Sequence, residues 1–246
     1  MDRSVYVAMT GATQIMRAQE AVSHNLANTS TVGFKSELSA FQSVPVLGEG
    51  QPARINAVTH GIGQSSAQGS PVNTGRALDI SVRGDGFIAV QAPDGSEAYT
   101  RAGDLQLTAD GALTDAKGNP VMGGSGPITI PPATDISVGS DGTISTVPQG
   151  QGANSISQID RIKLVKPDIT QMSQGSDGLM HMNDGSTAAI DDNVTIASGE
   201  LEGSNVNPSA ELVKMIALSR QYDMQVKSIK TSEDNADASL KLMQAN

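Results

Sequence analysis

"NPSAELVKMIALSRQYDMQVKSIK", residues 207–230, decides the fold. Asn207 is suited to cap a helix, with Pro208 at the first helical position and Glu211 in the opening turns, where negative charge is favoured. From there Met215, Ser219, Tyr222, Val226, Ile229, Glu233, Ala236, Leu240 and Met243 step by alternating intervals of four and three. The spacing predicts a long amphipathic helix carrying a coiled-coil seam. Ser219 and Glu233 interrupt that seam, and a polar group there needs a partner or water. The stripe therefore requires a surface to cover it.

The other end of the chain offers one. Between Ser4 and Ala27, the residues Val5, Met9, Ala12 and Met16 repeat at helical spacing, and Ala8, Ile15 and Val22 repeat at seven on an adjoining line. A second amphipathic helix is expected, with Gly11 as its weak position and as a point of close helix approach. The run gives out at "NLANTSTVGF", residues 25–34, where Asn25, Asn28 and Gly33 supply an Asn/Gly stop of the ordinary C-terminal kind. Two helices far apart in sequence, each with an apolar stripe, bury those stripes most economically by packing together antiparallel.

The residues between them change period. Asp-Gly pairs recur at Asp85-Gly86, Asp94-Gly95, Asp110-Gly111, Asp141-Gly142, Asp177-Gly178 and Asp184-Gly185, and this pair is a strong hairpin signal. Leu78, Ile80 and Val82 share one face of a strand, with Asp79, Ser81 and Arg83 on the other, and "FIAV", "PITI", "ISVG" and "DRIKLV" read as further short strands. The expected fold is α+β: N- and C-terminal helices packed as an antiparallel coiled coil around an inserted, hairpin-rich antiparallel β domain. Residues 1–36 with 200–246 form the helical part, 37–72 an extended connector rich in Gly, Gln, Ser and Pro, and 73–199 the β-rich part. A second stretch of that composition, Val147 to Ser157, reads as a loop.

Composition removes several functions. The formal net charge of −10 and six aromatic rings, three Phe and three Tyr, leave neither a basic track nor a stacking platform, so nucleic acid is not an expected partner. With no cysteine, thiolate catalysis and disulfide scaffolds are out. His24, His60 and His181 have no ligand-like spacing, and Asp184, Asp191 and Asp192 lack the pattern of a calcium loop. Arg83-Gly84-Asp85 reads as a strand running into a tight turn. No catalytic, metal or cofactor site is expected, and no enzyme. No stretch reaches the ~18 uncharged apolar residues of a membrane span, and the first twenty residues lack a signal-peptide pattern.

"NLANTSTVGFKSELSAFQ" (25–42), "GRALDISVRGDGFIAV" with "AYTRAGDLQLTADGAL", and "LEGSNVNPSAELVKMIALSRQYDMQVKSIKTSED" occur in that order. Together they resemble the bacterial flagellar rod and hook proteins over most of the chain. The opening "MDRSVYVAM", the length and "LEGSNVN" resemble the proximal rod branch most, with the distal rod branch next. The resemblance implies a structural subunit of the basal-body rod, the axial shaft that carries motor torque across the periplasm to the hook. Its implied partners are other rod subunits, proximal and distal, and the flagellar type III export apparatus, which would account for export without a cleavable signal and without membrane insertion.

It also implies roles for residues. Val5, Met9, Met16, Val22, Met215, Tyr222, Val226, Ile229 and Leu240 would pack helices and subunits. Asn25, Leu26, Asn28, Gly33, Phe34 and Lys35, with Leu201, Glu202, Asn205, Val206 and Asn207, are the motif residues that would turn the chain out of and back into the helical part. "FKSEL" (Phe34, Leu38) fits the Phe-x-x-x-apolar form associated with the export gate in related subunits, whereas "FQSVP" (Phe41), at the position more like the family's, ends in Pro45. Asp223 stands where relatives often carry a longer acid. A secreted ligand-binding β protein is the alternative, and it has no use for helices at both ends.

Overall fold

The computed structural model describes residues 3–45, 55–150 and 155–244. Helix α1 spans Arg3–Ala27 and helix α2 spans Pro208–Gln244. Asn207 caps α2 as its sequence implies: its Oδ1 accepts from the Ala210 amide at 3.2 Å and its carbonyl from Glu211 N–H at 3.0 Å. The chain folds into two units, one of residues 1–29, 37–64 and 206–246, the other of 30–36 and 65–205.

In the helical unit α1 and α2 pack together and run in opposite senses. Gly11 faces Gln225, while Ala18 and Val22 line one cleft with Leu218 and Glu211. Ile15, Ala18, Val22 and Leu218 form the buried cluster, with Met215 and Tyr222 packed against it. On α2 the buried and half-buried positions are Glu211, Met215, Leu218, Tyr222, Gln225, Ile229, Ser232 and Ala236. This corrects the register of the expected seam. Met215, Tyr222, Ile229 and Ala236 are shared, but the inward flank is Leu218, Gln225 and Ser232, whereas Ser219, Val226 and Glu233 lie outside. On α1 the same choice is made by size. Ala8, Ala12 and Ala18 face inward and let α2 approach closely, which turns Met9 and Met16 outward. Truncating Leu218 to Ala is expected to cost about 2 kcal/mol, the lower end for a buried leucine. Hydrogen exchange would report it as faster exchange in both helices with the β unit unchanged.

The segment expected as an extended connector is a second correction. Strand β1 (Glu37–Pro45) and strand β2 (Ile55–Gln64) pair antiparallel from Glu37↔Gln64 to Pro45↔Ile55, and they belong to the helical unit. Gln14, buried in α1, ties them down: its Oε1 accepts from the Thr59 amide at 2.9 Å and its carbonyl from Thr59 Oγ1 at 3.0 Å. β1 had no period-two signal because its side chains are mostly exposed on both faces, so backbone bonds rather than an apolar stripe hold the ladder. Residues 46–54 of that connector, and 151–154 of the later loop, lie outside the described residues.

The β unit begins its ladders with β3 (Pro71–Asn73), β4 (Ile80–Arg83), β5 (Phe87–Gln91) and β6 (Glu97–Thr100). Every ladder in it is antiparallel. A five-stranded sheet runs Leu164–Val165, β5, β6, Met180–Met182, Met172–Gln174, and a three-stranded sheet places Thr143–Pro148 between Ser157–Arg161 and Ala133–Val138. β5 is covered on both faces. Ile88 and Val90 enter the main core with Ile80, Leu105, Leu113 and Leu164, while Phe87 and Ala89 enter a second cluster with Tyr99, Val165 and Met180. Burial drives the Tyr99 hydroxyl up to about 12, yet it is not orphaned: it donates to Glu97 Oε1 at 2.9 Å and accepts from the Ala188 amide at 2.6 Å.

At the Asp-Gly turns Asp94, Asp141, Asp177 and Asp184 accept from the amide two residues further on, as Asp94 does from the Ser96 amide at 2.9 Å and hydroxyl at 2.6 Å. At Asp110 the Ala112 amide donates to Thr108 Oγ1 instead. The Ser96 bonds hold the Asp94 carboxyl below the usual range. Asp85-Gly86 departs from the pattern: the positive φ falls on Gly84, at 78°, and Gly86 is instead pressed against the Val194 side chain.

Candidate assembly interface

The motif residues converge on two places. The first lies inside the β unit, where its incoming segment (residues 30–36) and outgoing segment (200–205) are fastened together. Strand Glu200–Glu202 pairs with β3, bringing Glu202 opposite Pro71 and Leu201, half-buried, opposite Val72. The Gly33 amide donates to the Glu202 carbonyl at 2.7 Å, and the Asn205 amide to the Phe34 carbonyl at 3.2 Å. Asn205 Oδ1 accepts from the Ser36 amide at 2.7 Å while its Nδ2 donates to the Ala67 carbonyl at 2.9 Å. Phe34 is buried, as is Val206, the residue after this segment, at the start of the helical unit's C-terminal stretch.

At the centre lies a charged node. Glu202 is 2% exposed; its Oε1 accepts from Lys35 Nζ at 2.6 Å and from the Gly69 amide at 3.0 Å, and its Oε2 from Arg101 Nη1 at 2.9 Å. Lys35 Nζ also donates to the Ala67 carbonyl at 2.7 Å, and Arg101 Nη2 to the Gly84 carbonyl at 2.5 Å. The Arg101 guanidinium lies over the Phe87 ring, 5.2 Å from its centroid. Its Nε has no hydrogen-bond partner among the described residues. Burial pushes the Glu202 carboxyl up, but the Lys35 hydrogen bond, the Gly69 amide and the two cations together hold it below the ordinary glutamate range. Burial also draws the Lys35 ammonium down, with the Arg101 charge acting the same way and Glu202 opposing. Two cations share one carboxylate, so the node keeps a net positive charge in a dry setting. It fixes geometry and offers no surface for a substrate.

Arg101 was not singled out from the sequence. It sits 101 residues from its carboxylate, and no periodicity marks a lone arginine beyond a strand end.

The second place is the helical unit. In the last turns of α1, Asn25 is buried and its amide brackets the first residue of β1, accepting from Glu37 N–H at 2.8 Å and donating to the Glu37 carbonyl at 3.0 Å. Asn28 Nδ2 donates to the His24 carbonyl at 2.9 Å, completing the helix end, and Leu26 is half-buried. Of the expected packing residues, Val22 is buried and Val5, Met215, Tyr222 and Ile229 are half-buried. Met9, Met16, Val226 and Leu240 are 45–53% exposed. Several apolar residues that the seam did not include are also exposed: Leu212, Val213, Ile216 and Met224, at 47–67%, point outward from α2. Of the two expected export segments, Phe34 is buried, whereas Leu38 and Phe41 are exposed on β1.

The helix pair leaves apolar side chains exposed on several faces, the mark of a protein whose helices serve as an interaction surface. Comparison with known proteins agrees with that class. Residues 5–35 match the family described as flagella basal body rod protein, 81–146 the flagellar hook protein FlgE/F/G D1 domain, and 197–242 the flagellar basal body rod FlgEFG protein C-terminal. The chain is 39% identical to the flagellar basal-body rod protein FlgF of Escherichia coli (strain K12), covering 99% of each chain. It is 38% identical to that of Salmonella typhimurium, covering 96% of each, and 31% identical to the rod protein FlgG of Buchnera aphidicola subsp. Schizaphis graminum, covering 94% of this chain and 95% of the relative. The chain belongs to the flagellar basal-body rod protein family.

Proposed function

We propose that this chain is a structural subunit of the bacterial flagellar basal-body rod, of the FlgF kind, and that its role is mechanical rather than catalytic. The observation that carries the reading is the set of apolar residues left open on both long helices of a chain with full-length similarity to rod proteins. In this reading α1 and α2 pair as an antiparallel coiled coil in the inner, axial part of the shaft, and the β unit faces outward. Met9, Met16, Val226 and Leu240 are covered by neighbouring rod subunits, proximal and distal. Val5, Val22, Met215, Tyr222 and Ile229 hold the helix pair itself. Torque then passes through many packed seams, which resist twisting better than any single contact.

The chain reaches the periplasm through the flagellar type III apparatus. Each candidate gate segment keeps an exposed member on β1, Leu38 in the first and Phe41 in the second, and deleting each in turn while measuring export separates them. Among the described residues no helix is long and apolar enough to cross a membrane. Cofactors and nucleic acid have no part in this role.

The test uses cells lacking the native chain and complemented with Tyr222→Ala. Tyr222 packs against the Ile15, Ala18, Val22 and Leu218 cluster. The variant is expected to keep a folded β unit while its incorporation into basal bodies and swimming both fall. Normal rods and motility would show that the helix pair Tyr222 holds together is not what assembly depends on. A deletion strain that swims normally would remove the whole reading.

A further inference from the structure

Resting on the rod-subunit reading, we infer that the free end of α2 from one copy of this chain seats in a cleft of the helical unit of the next copy. The cleft, about 250 Å³, is formed by the last turns of α1 (Ala18, Val22), the start of β1 (Leu38, Phe41) and the first turns of α2 (Glu211, Leu218). Its apolar rim is open: Leu38 is 42% and Phe41 49% exposed. One wall carries a carboxylate that Lys214, itself on the cleft's lining, pairs at one oxygen and leaves open at the other. Glu211 is 5% exposed, its Oε1 accepts from Lys214 Nζ at 2.5 Å, and its Oε2 has no hydrogen-bond partner among the described residues. A nine-tenths buried carboxylate oxygen without a donor is costly, and an occupant that relieves it brings an N–H donor on an apolar face, which a lysine supplies.

The same chain supplies that face at the opposite end of the same helix pair. Gly11 lies beside Gln225 and the helices are antiparallel, so Arg3 comes level with about residue 233. α2 therefore continues roughly ten residues, about 15 Å, past the described start of α1. On this overhang Leu240 and Met243, three apart and hence on one face, are 53% and 75% exposed, and Lys241 flanks them. Cleft and overhang are different patches at opposite ends of one rod-like pair. A contact between them is heterologous and propagates along an axis, as an axial assembly requires, where an isologous contact would close at two copies.

The absence of cysteine makes the test direct. Two chains, Phe41→Cys and Leu240→Cys, or Phe41→Cys and Met243→Cys so that one helical turn of register does not decide the result, are expressed together in cells lacking the native chain. Basal bodies are isolated and oxidised. The expected result is a mixed dimer containing both variants, absent when either variant is expressed alone. Bodies that contain both variants without a mixed dimer overturn the inference and leave the rod-subunit reading standing, as does capture of Phe41→Cys by a different protein or by its own kind. Absence of the chain from basal bodies overturns both. Adding Lys241→Glu to the Leu240→Cys chain is expected to lower the mixed-dimer yield about tenfold while Lys241→Arg keeps it; equal yields would overturn the pairing with Glu211.

Discussion

Glu202→Gln destabilises the β unit by about 3 to 5 kcal/mol, the expected outcome when one partner of a buried ion cluster loses its charge and the others stay. The amide keeps an oxygen that accepts only one of the two cationic donors well, and its NH₂ points a donor at a donor. Lys35 and Arg101, 7% and 4% exposed, are then left with surplus positive charge that water cannot reach. Guanidinium denaturation of the full chain, read by hydrogen exchange in residues 65–73 and 200–205, measures the loss. Replacing all three together, Lys35→Met, Arg101→Leu and Glu202→Met, is expected to recover most of it, because removing every charge removes the desolvation cost as well as the attraction. A triple variant as unstable as the single one would mean that the hydrogen bonds to the Gly69 amide and the Ala67 and Gly84 carbonyls, rather than the charges, hold the node.

The same node sets a pH dependence. The folded Glu202 pKa lies below its ordinary value of 4.5, so the folded state binds fewer protons than the unfolded state there. Its contribution is fully present above about pH 4.5 and is lost as pH falls through the folded value. Exposed turn aspartates such as Asp94 and Asp141, also held below 3.8, add a fall in the same direction. The informative quantity is therefore the difference between wild type and Glu202→Gln, which narrows as the pH falls below 4.5. A gap that stays constant down to pH 2.5 would show that Glu202 is not the group protonating.

These effects centre on residues the sequence made visible only in part. The start of α2 was legible because Asn207 and Pro208 act locally, through a side-chain acceptor and a fixed φ, and local chemistry is carried by adjacent residues. The β strands were legible because Ile80 and Val82, or the buried run Phe87 to Val90, leave a pattern of burial in the order of residues. The inward flank of α2 was not. Met215, Tyr222 and Ile229 are common to two overlapping stripes, and the choice between Leu218 and Val226 depends on which face the alanines of α1 approach. α2 carries apolar residues on more than one side, Leu212, Val213, Ile216 and Met224 among them, and a sequence does not say which apolar face is for the chain itself. The β1–β2 hairpin left no stripe at all. The charged node was half legible: Lys35 and Glu202 stood in recognisable motifs, but their meeting, and the part played by Arg101, came from separations of 167 and 101 residues that only the fold closes.

Gly33→Ala is the substitution that tests whether this closure is geometric. Gly33 has φ of 67°, a conformation that costs an alanine about 1 kcal/mol or slightly more by itself. A Cβ there would also run into the carbonyl carbon and oxygen of Arg101 and the amide of Ala102, all of them backbone, so no flexible side chain can swing aside. Relief requires the segment 30–36 to lift, which breaks the Gly33 N–H bond to the Glu202 carbonyl, worth about 1 kcal/mol, and disturbs the Lys35 contact beside it. The expected loss is about 3 kcal/mol or more. Gly118→Ala is the matched comparison: φ is 88° there, but a Cβ would meet nothing within 4 Å, so only the conformational cost remains. If both variants lose stability equally, the left-handed backbone alone accounts for glycine at residue 33. If Gly33→Ala loses about 2 kcal/mol more than Gly118→Ala, the difference measures how tightly the segment leaving α1 is held against the Arg101 backbone, and so how firmly the motif sets the path of the chain.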